Sequence, residues 1–158
     1  MIMKNKIQVN FRSKYLSEAT GLILGLGINL RGDELKKLAV CLRKIRNSEI
    51  YREDFSSIEE YASKVFNYSK SSVNRLLRVA DNYLQRDKGR SIFIYKNGKD
   101  FNLSQLNEFL VLPKSEIIKL VESGKIHPDM TVEDIRYTIG AKMMMDNPVN
   151  FMIRHGMF

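Results

Sequence analysis

Lys70, Ser71, Asn74, Arg75 and Arg78 recur three and four residues apart, the spacing that gathers side chains on one face of an α-helix. Their functional groups are the ones that pair with base edges. Arg and Lys donate to O6 and N7 of guanine, and Asn forms a bidentate pair with adenine. Ser72 stands at the margin of this face. Ser69, just ahead of it, is a preferred N-cap residue, and the helix end it would cap also suits a phosphate. The intervening Val73, Leu76, Leu77, Ala80, Tyr83 and Leu84 give the same helix an apolar side to bury.

Such a face is useful only if a neighbouring helix holds the other side. The preceding residues supply one. Ser56 and Ser57 each stand three residues before a glutamate, Glu59 and Glu60, the reciprocal capping pattern of a helix start. Ile58, Tyr61, Ala62, Val65 and Phe66 follow at helical spacing. Asn67 then marks the stop, because it tolerates the left-handed backbone of a helix end better than most residues. Residues 57–78 therefore predict a helix-turn-helix whose second helix enters the major groove of double-stranded DNA, with Lys70, Ser71, Ser72, Asn74, Arg75 and Arg78 as base-reading side chains.

The charge distribution points the same way. Residues 1–90 hold 18 Lys and Arg against 10 Asp and Glu, whereas residues 91–158 hold 8 of each. The entire excess of +8 thus lies in the part containing the motif. Neutralising phosphates releases condensed counterions, which is the usual reason for a basic stripe. The expected phosphate contacts are Lys64, Ser69, Arg86, Lys88 and Arg90, together with Lys36, Lys37, Arg43 and Lys44 on a preceding helix. An acidic membrane surface would attract the same charges, but no strongly apolar helix face opposes them.

The pattern along the chain predicts a mainly α fold: a helical bundle carrying the helix-turn-helix, and a second small helical subdomain. Residues 1–12 are expected to be a flexible basic arm. Residues 13–90 are expected to hold four helices, beginning at about 13–31 (Tyr15, Leu16, Ala19, Leu22, Ile23, Leu26 and Leu30 as its stripe) and 33–46 (Leu35, Leu38, Ala39, Leu42 and Ile45). Residues 91–103 form a connecting segment, where Ile92, Phe93, Ile94 and Tyr95 before Asn97-Gly98 also allow a short β-hairpin near 92–103, placed like a wing. Three short helices follow in residues 104–142, capped at Ser104, started near Ser115 and closed by Gly124, and capped at Thr131 with Asp134. The methionine- and phenylalanine-rich tail, 143–158, either folds back on the core or makes a dimer contact.

The stretch Phe66-Asn67-Tyr68-Ser69-Lys70-Ser71-Ser72-Val73-Asn74-Arg75 resembles the turn and second helix of small helix-turn-helix DNA-binding proteins of phages, plasmids and conjugative elements of Gram-positive bacteria. Their usual form is Phe-Gly-hydrophobic-Ser-Lys-Ser-Thr-Val-x-Arg, so Asn67 stands where Gly is common. The likeness includes Ser56-Ser57-Ile58-Glu59-Glu60-Tyr61, continues through Phe101-Asn102-Leu103-Ser104-Gln105-Leu106-Asn107-Glu108 and Met130-Thr131-Val132-Glu133-Asp134-Ile135-Arg136, and spans most of residues 30–140. It implies a sequence-specific DNA-binding regulator of a mobile element. A fainter similarity, in the Ser-x-Ser-x-Val-x-x-Leu-Leu type helix, Leu112-Pro113 and Gly124-Lys125-Ile126, is to the helix-turn-helix region of the ParB/KorB partition proteins. It implies a plasmid partition or replication accessory role. The chain has nothing like that family's nucleotide-binding domain.

Several other function classes find no support. Cys41 is the single cysteine, so no internal disulfide can form, and its place beside Leu38, Leu42 and Ile45 suits a structural thiol. His127 and His155 have no carboxylate or cysteine at metal-ligand spacing. Gly25-Leu26-Gly27 lacks a third glycine and a preceding strand, and no P-loop or nucleophile elbow occurs. Neither an enzyme nor a cofactor, metal or small-molecule substrate is expected. The most apolar stretch, residues 22–30, is too short to span a bilayer, and the absence of a signal peptide predicts a cytoplasmic protein. The expected partners are double-stranded DNA and a second copy, as a homodimer. The alternative is a protein-interaction factor, such as an anti-CRISPR-type inhibitor of a host defence nuclease, contacting a host protein through the neutral C-terminal third. Single-strand binding would need aromatic platforms. Phe93 and Tyr95 are the candidates, and their apolar run favours a core role.

Overall fold

The computed structural model describes residues 10–25 and 33–149, with Met152 and Gly156. Among the described residues there are seven α-helices, two short 3-10 turns and no strand. The chain divides into two compact units, residues 1–89 and 90–158.

In the first unit, α1 spans Lys14–Leu24, α2 Asp33–Ser48, α3 Ile58–Phe66 and α4 Lys70–Tyr83, with a 3-10 turn at Ile50–Glu53. α1 starts where Ser13 Oγ accepts the Leu16 N–H at 3.2 Å. The remainder of its expected length, residues 26–31, and the start of the basic arm, residues 1–9, lie outside the described residues. The end of the arm is tied down: the backbone N–H groups of Arg12 and Ser13 donate to Asp54 at 2.7 and 3.1 Å, and Phe11 meets Phe55 edge-on. Helix α2 is the hub of the unit, packing on α1, α3 and α4. It buries Leu38, Ala39, Val40, Leu42 and Ile45 against Leu16, Ile23, Tyr61, Val65, Val73, Leu77 and Ala80 of the common core. Tyr61 is fully buried, its hydroxyl 2.8 Å from Thr20 Oγ1, and burial pushes its pKa up to about 12. Tyr15 and Leu22, expected in the α1 stripe, point outward instead.

The second unit contains α5 (Leu103–Glu108), a 3-10 turn (Phe109–Val111), α6 (Lys114–Glu122) and α7 (Val132–Asp146). Phe101, Leu106, Phe109, Ile117, Leu120, Ile126, Ile135 and Ile139 form its core. The cap of α5 is Asn102 and not Ser104. Asn102 Oδ1 accepts the Gln105 N–H at 2.9 Å while Gln105 Oε1 accepts the Asn102 N–H at 2.8 Å. The buried Gln105 amide also donates to the carbonyls of Pro128 and Met130, so one side chain joins a helix start to the turn ahead of α7. Gly124 takes φ +77° just past α6. Thr131 and Asp134 cap α7 reciprocally. That helix continues to Asp146, well beyond the expected end near Thr138, and takes up the first residues of the expected tail.

The hairpin near residues 92–103 does not form. Its return strand would need free backbone N–H groups on alternate residues, and side chains have taken them. The Lys99 N–H donates to Asn97 Oδ1, that of Phe101 to Asp100 Oδ1, and that of Asn102 to Gln105 Oε1. Phe93 packs against Phe101 and Phe109, and Tyr95 against Phe101, which puts these rings in a core cluster and not on an open stacking face. Among the described residues no helix is long and apolar enough to cross a membrane.

Candidate nucleic-acid interface

Helices α3 and α4 meet through a short turn whose geometry follows from three local choices. Ser57 Oγ accepts the Glu60 N–H at 3.0 Å and starts α3. Glu60 reaches back to Ser56, accepting from its N–H at 2.7 Å and its hydroxyl at 2.5 Å. These bonds from Ser56, aided by Lys64, hold the Glu60 pKa down at about 2. Asn67 adopts φ 59°, ψ 33°, and its N–H donates back to Ala62 and Ser63, ending α3 in the left-handed conformation. Two residues later Ser69 Oγ accepts the Ser72 N–H at 3.1 Å and starts α4.

Helix α4 then separates its residues by face. Val73, Leu76, Leu77, Val79, Ala80 and Tyr83 are buried. Lys70, Ser71, Arg75 and Arg78 are exposed, and Asn74 and Ser72 are half-buried at the margin. The expected base-reading residues therefore share one solvent-facing side. Lys70 and Arg75 form no ion pair among the described residues. An open polar recess of about 350 Å³, lined by Ser57, Glu59, Glu60, Ser63 and Lys70, bounds this side at the start of the helix. Its two carboxylates disfavour a phosphate there, so the cationic face opens toward Asn74, Arg75 and Arg78.

The expected phosphate contacts divide sharply. Ser69, Lys37, Arg86, Lys88 and Arg90 are exposed. Lys64 is also exposed but pairs with Glu60 at 3.1 Å. Lys44 pairs with Asp87 at 3.3 Å. Two expectations need correction. Lys36 is only 1% exposed because α2 turns that position into the bundle, so it is withdrawn from any phosphate set. Arg43 does not reach outward either. Its guanidinium donates to the carbonyls of Ala80, Leu84, Gln85 and Arg86, the last two at 2.8 and 3.0 Å. It thereby ties α2 to the last turn of α4, where the Ala80 carbonyl also accepts the Leu84 N–H, and to the residues that follow that helix.

This tether was not legible in the sequence, where Arg43 looks like any other solvated cation on α2. A second strap lies beside it: Arg46 forms a two-bond pair with Asp81 of α4 at 2.9 and 2.7 Å. Together they fix the far end of α4 and the start of the loop that carries Arg86 and Lys88. A Cβ at Gly89 would sit 2.8 Å from the Lys37 side chain, so this loop also runs close against α2 further on. Cys41 is half-buried, and burial raises its pKa, which suits an inert thiol. No group of three or more His, Cys, Asp or Glu residues able to hold a metal occurs among the described residues. No protein-family model, curated protein or solved structure matches the chain.

Proposed function

We propose that this protein binds double-stranded DNA sequence-specifically by laying the outer face of α4 in the major groove, as a transcriptional regulator of a mobile genetic element acting in the cytoplasm. The observation that carries the reading is the division of α4 itself. Six residues are buried on one side, and Lys70, Ser71, Arg75 and Arg78 are exposed on the other. Asn74 and Arg75 are the base readers, with Lys70, Ser71, Ser72 and Arg78 beside them. Ser69, Lys37, Arg86, Lys88 and Arg90 contact phosphates, which position the protein without specifying sequence. A single helix reads few base pairs, so two copies on a symmetric site form the expected complex.

Selection of duplexes from a random pool by the full chain, repeated at two salt concentrations, tests the reading. One enriched motif, bound with an affinity that falls steeply with salt, is expected. Recovery of unselected sequence at both salts would refute specificity.

One observation favours a second reading, a factor that binds a host protein. Along α7 and beyond it, Tyr137 and Met145 are each 80% exposed, and Met144 and Val149 are exposed beside them. These apolar side chains lie in the unit with almost no net charge. Retention of a host protein by the chain after nuclease treatment, with no selected duplex, would favour that reading.

A further inference from the structure

We infer that residues 91–100 form a second DNA-contacting element, a rigid loop that sets Ile94 and Lys96 into a minor groove; the inference rests on the α4 reading above. The loop is closed at its base by Ser91 and Asp100. The Ser91 N–H and hydroxyl donate to the Asp100 carboxylate at 2.9 and 2.5 Å. Its tip is a turn in which the Gly98 N–H donates to the Tyr95 carbonyl at 3.1 Å, with Gly98 at φ +75°. The Arg90 guanidinium bridges to the Gly98 carbonyl at 3.3 Å.

Alternate residues face opposite ways. Phe93 and Tyr95 turn inward, their ring centroids 5.6 and 6.0 Å from that of Phe101. Ile94 turns outward and is 86% exposed, more than any other large hydrophobic residue described. Lys96 and Asn97 are exposed next to it. The loop is thus held by its inner rings and closing hydrogen bonds while it presents an aliphatic side chain beside Lys96.

Charge selects the partner. From residue 70 to residue 99 the chain carries eight basic and two acidic residues; within the loop Lys99 pairs with Asp129 at 2.5 Å, which leaves Lys96 as the exposed cation beside Ile94. From residue 101 onward acidic residues outnumber basic ones, seven to six. The one carboxylate in the loop, Asp100, accepts from Ser91 and Phe101 and closes its base. A protein hot spot would be expected to cluster aromatic and Arg anchors on this outer edge. A lone aliphatic wedge flanked by Lys and Asn is the equipment of minor-groove binders, which insert apolar side chains at base steps and place cations against the narrow groove's negative potential.

The test uses the full chain and the duplex it selects. Replacing flanking A·T pairs with inosine·cytosine preserves the minor-groove face and alters the major one, whereas 2,6-diaminopurine·T does the reverse. Flanking diaminopurine is expected to weaken binding about tenfold, the scale of one buried aliphatic side chain, while flanking inosine is tolerated. Ile94→Ser is expected to abolish that difference and to leave the thermal melt unchanged, because the residue is 86% exposed. Lys96→Ala should reduce the salt dependence of binding. Unchanged affinity of both variants, with no diaminopurine effect, overturns the loop contact and leaves it to a protein partner. The α4 reading fails separately, if Arg75→Ala binds the selected duplex as wild type does. A chain that selects no duplex removes both.

Discussion

Helices α2 and α4 are both cationic, yet they use their charge in opposite ways. α2 packs on three neighbouring helices. Its Lys36 is buried, its Arg43 and Arg46 are bonded to groups on or just after α4, and its Lys44 pairs with Asp87. α4 packs on α2 and α3 and leaves one side open, so Lys70, Arg75 and Arg78 are exposed there. Most cations of the central helix are held within the fold, Lys37 excepted, whereas Lys70 and Arg75 on the peripheral helix face solvent. Counting Lys and Arg cannot separate the two roles. The number of neighbours around each helix does.

The sharpest way to break this contrast is a pair of alanine substitutions. Arg43→Ala should destabilise the protein by about 3 kcal/mol, because several carbonyls lose a charged donor, and should lower the thermal midpoint by about 10 °C or more. Arg75→Ala should leave the melt unchanged and weaken specific binding by about 1–3 kcal/mol. Equal effects of the two variants on melting would dissolve the distinction between α2 and α4. Asn67→Ala forces an alanine into the left-handed turn between α3 and α4, and should cost about 1 kcal/mol in chemical denaturation. Lys88→Ala should weaken binding to all duplexes alike and reduce the slope of log affinity against log salt by about 0.9. The smallest effect concerns Glu60. Its folded pKa, about 2, lies below the ordinary carboxylate value, so its contribution is present above that value and fades as pH falls toward 2. A carbon-detected NMR titration should place its midpoint near pH 2, and Glu60→Gln should remove that dependence.

Local signals made much of this fold legible. Caps at Ser57, Ser69 and Thr131, the left-handed stop at Asn67 and the glycine past α6 each need only a few neighbouring residues, and the apolar stripes fixed which side of α3 and α4 is buried. What escaped reading depends on contacts distant in sequence. Lys36 cannot be known as internal until α2 is known to be central. Arg43 meets carbonyls 37 to 43 residues away, a distance no periodicity reveals. The Asn97-Gly98 signal identified a turn but not a hairpin, because the return segment's N–H groups are taken by Asn97, by Asp100, which closes the loop, and by Gln105 of the next cap. Of the candidate site, the face of α4 was legible from spacing alone, whereas the division of the phosphate contacts into exposed and tethered groups was not.

Methylation interference on the selected duplex reports on major-groove contact by α4, since N7 of guanine lies in the groove where Arg would donate. Methylation at specific guanines should block the wild-type chain, and Arg75→Ala should lose its sensitivity at one of them alone. Identical interference for both chains, or none for either, would contradict major-groove reading by α4.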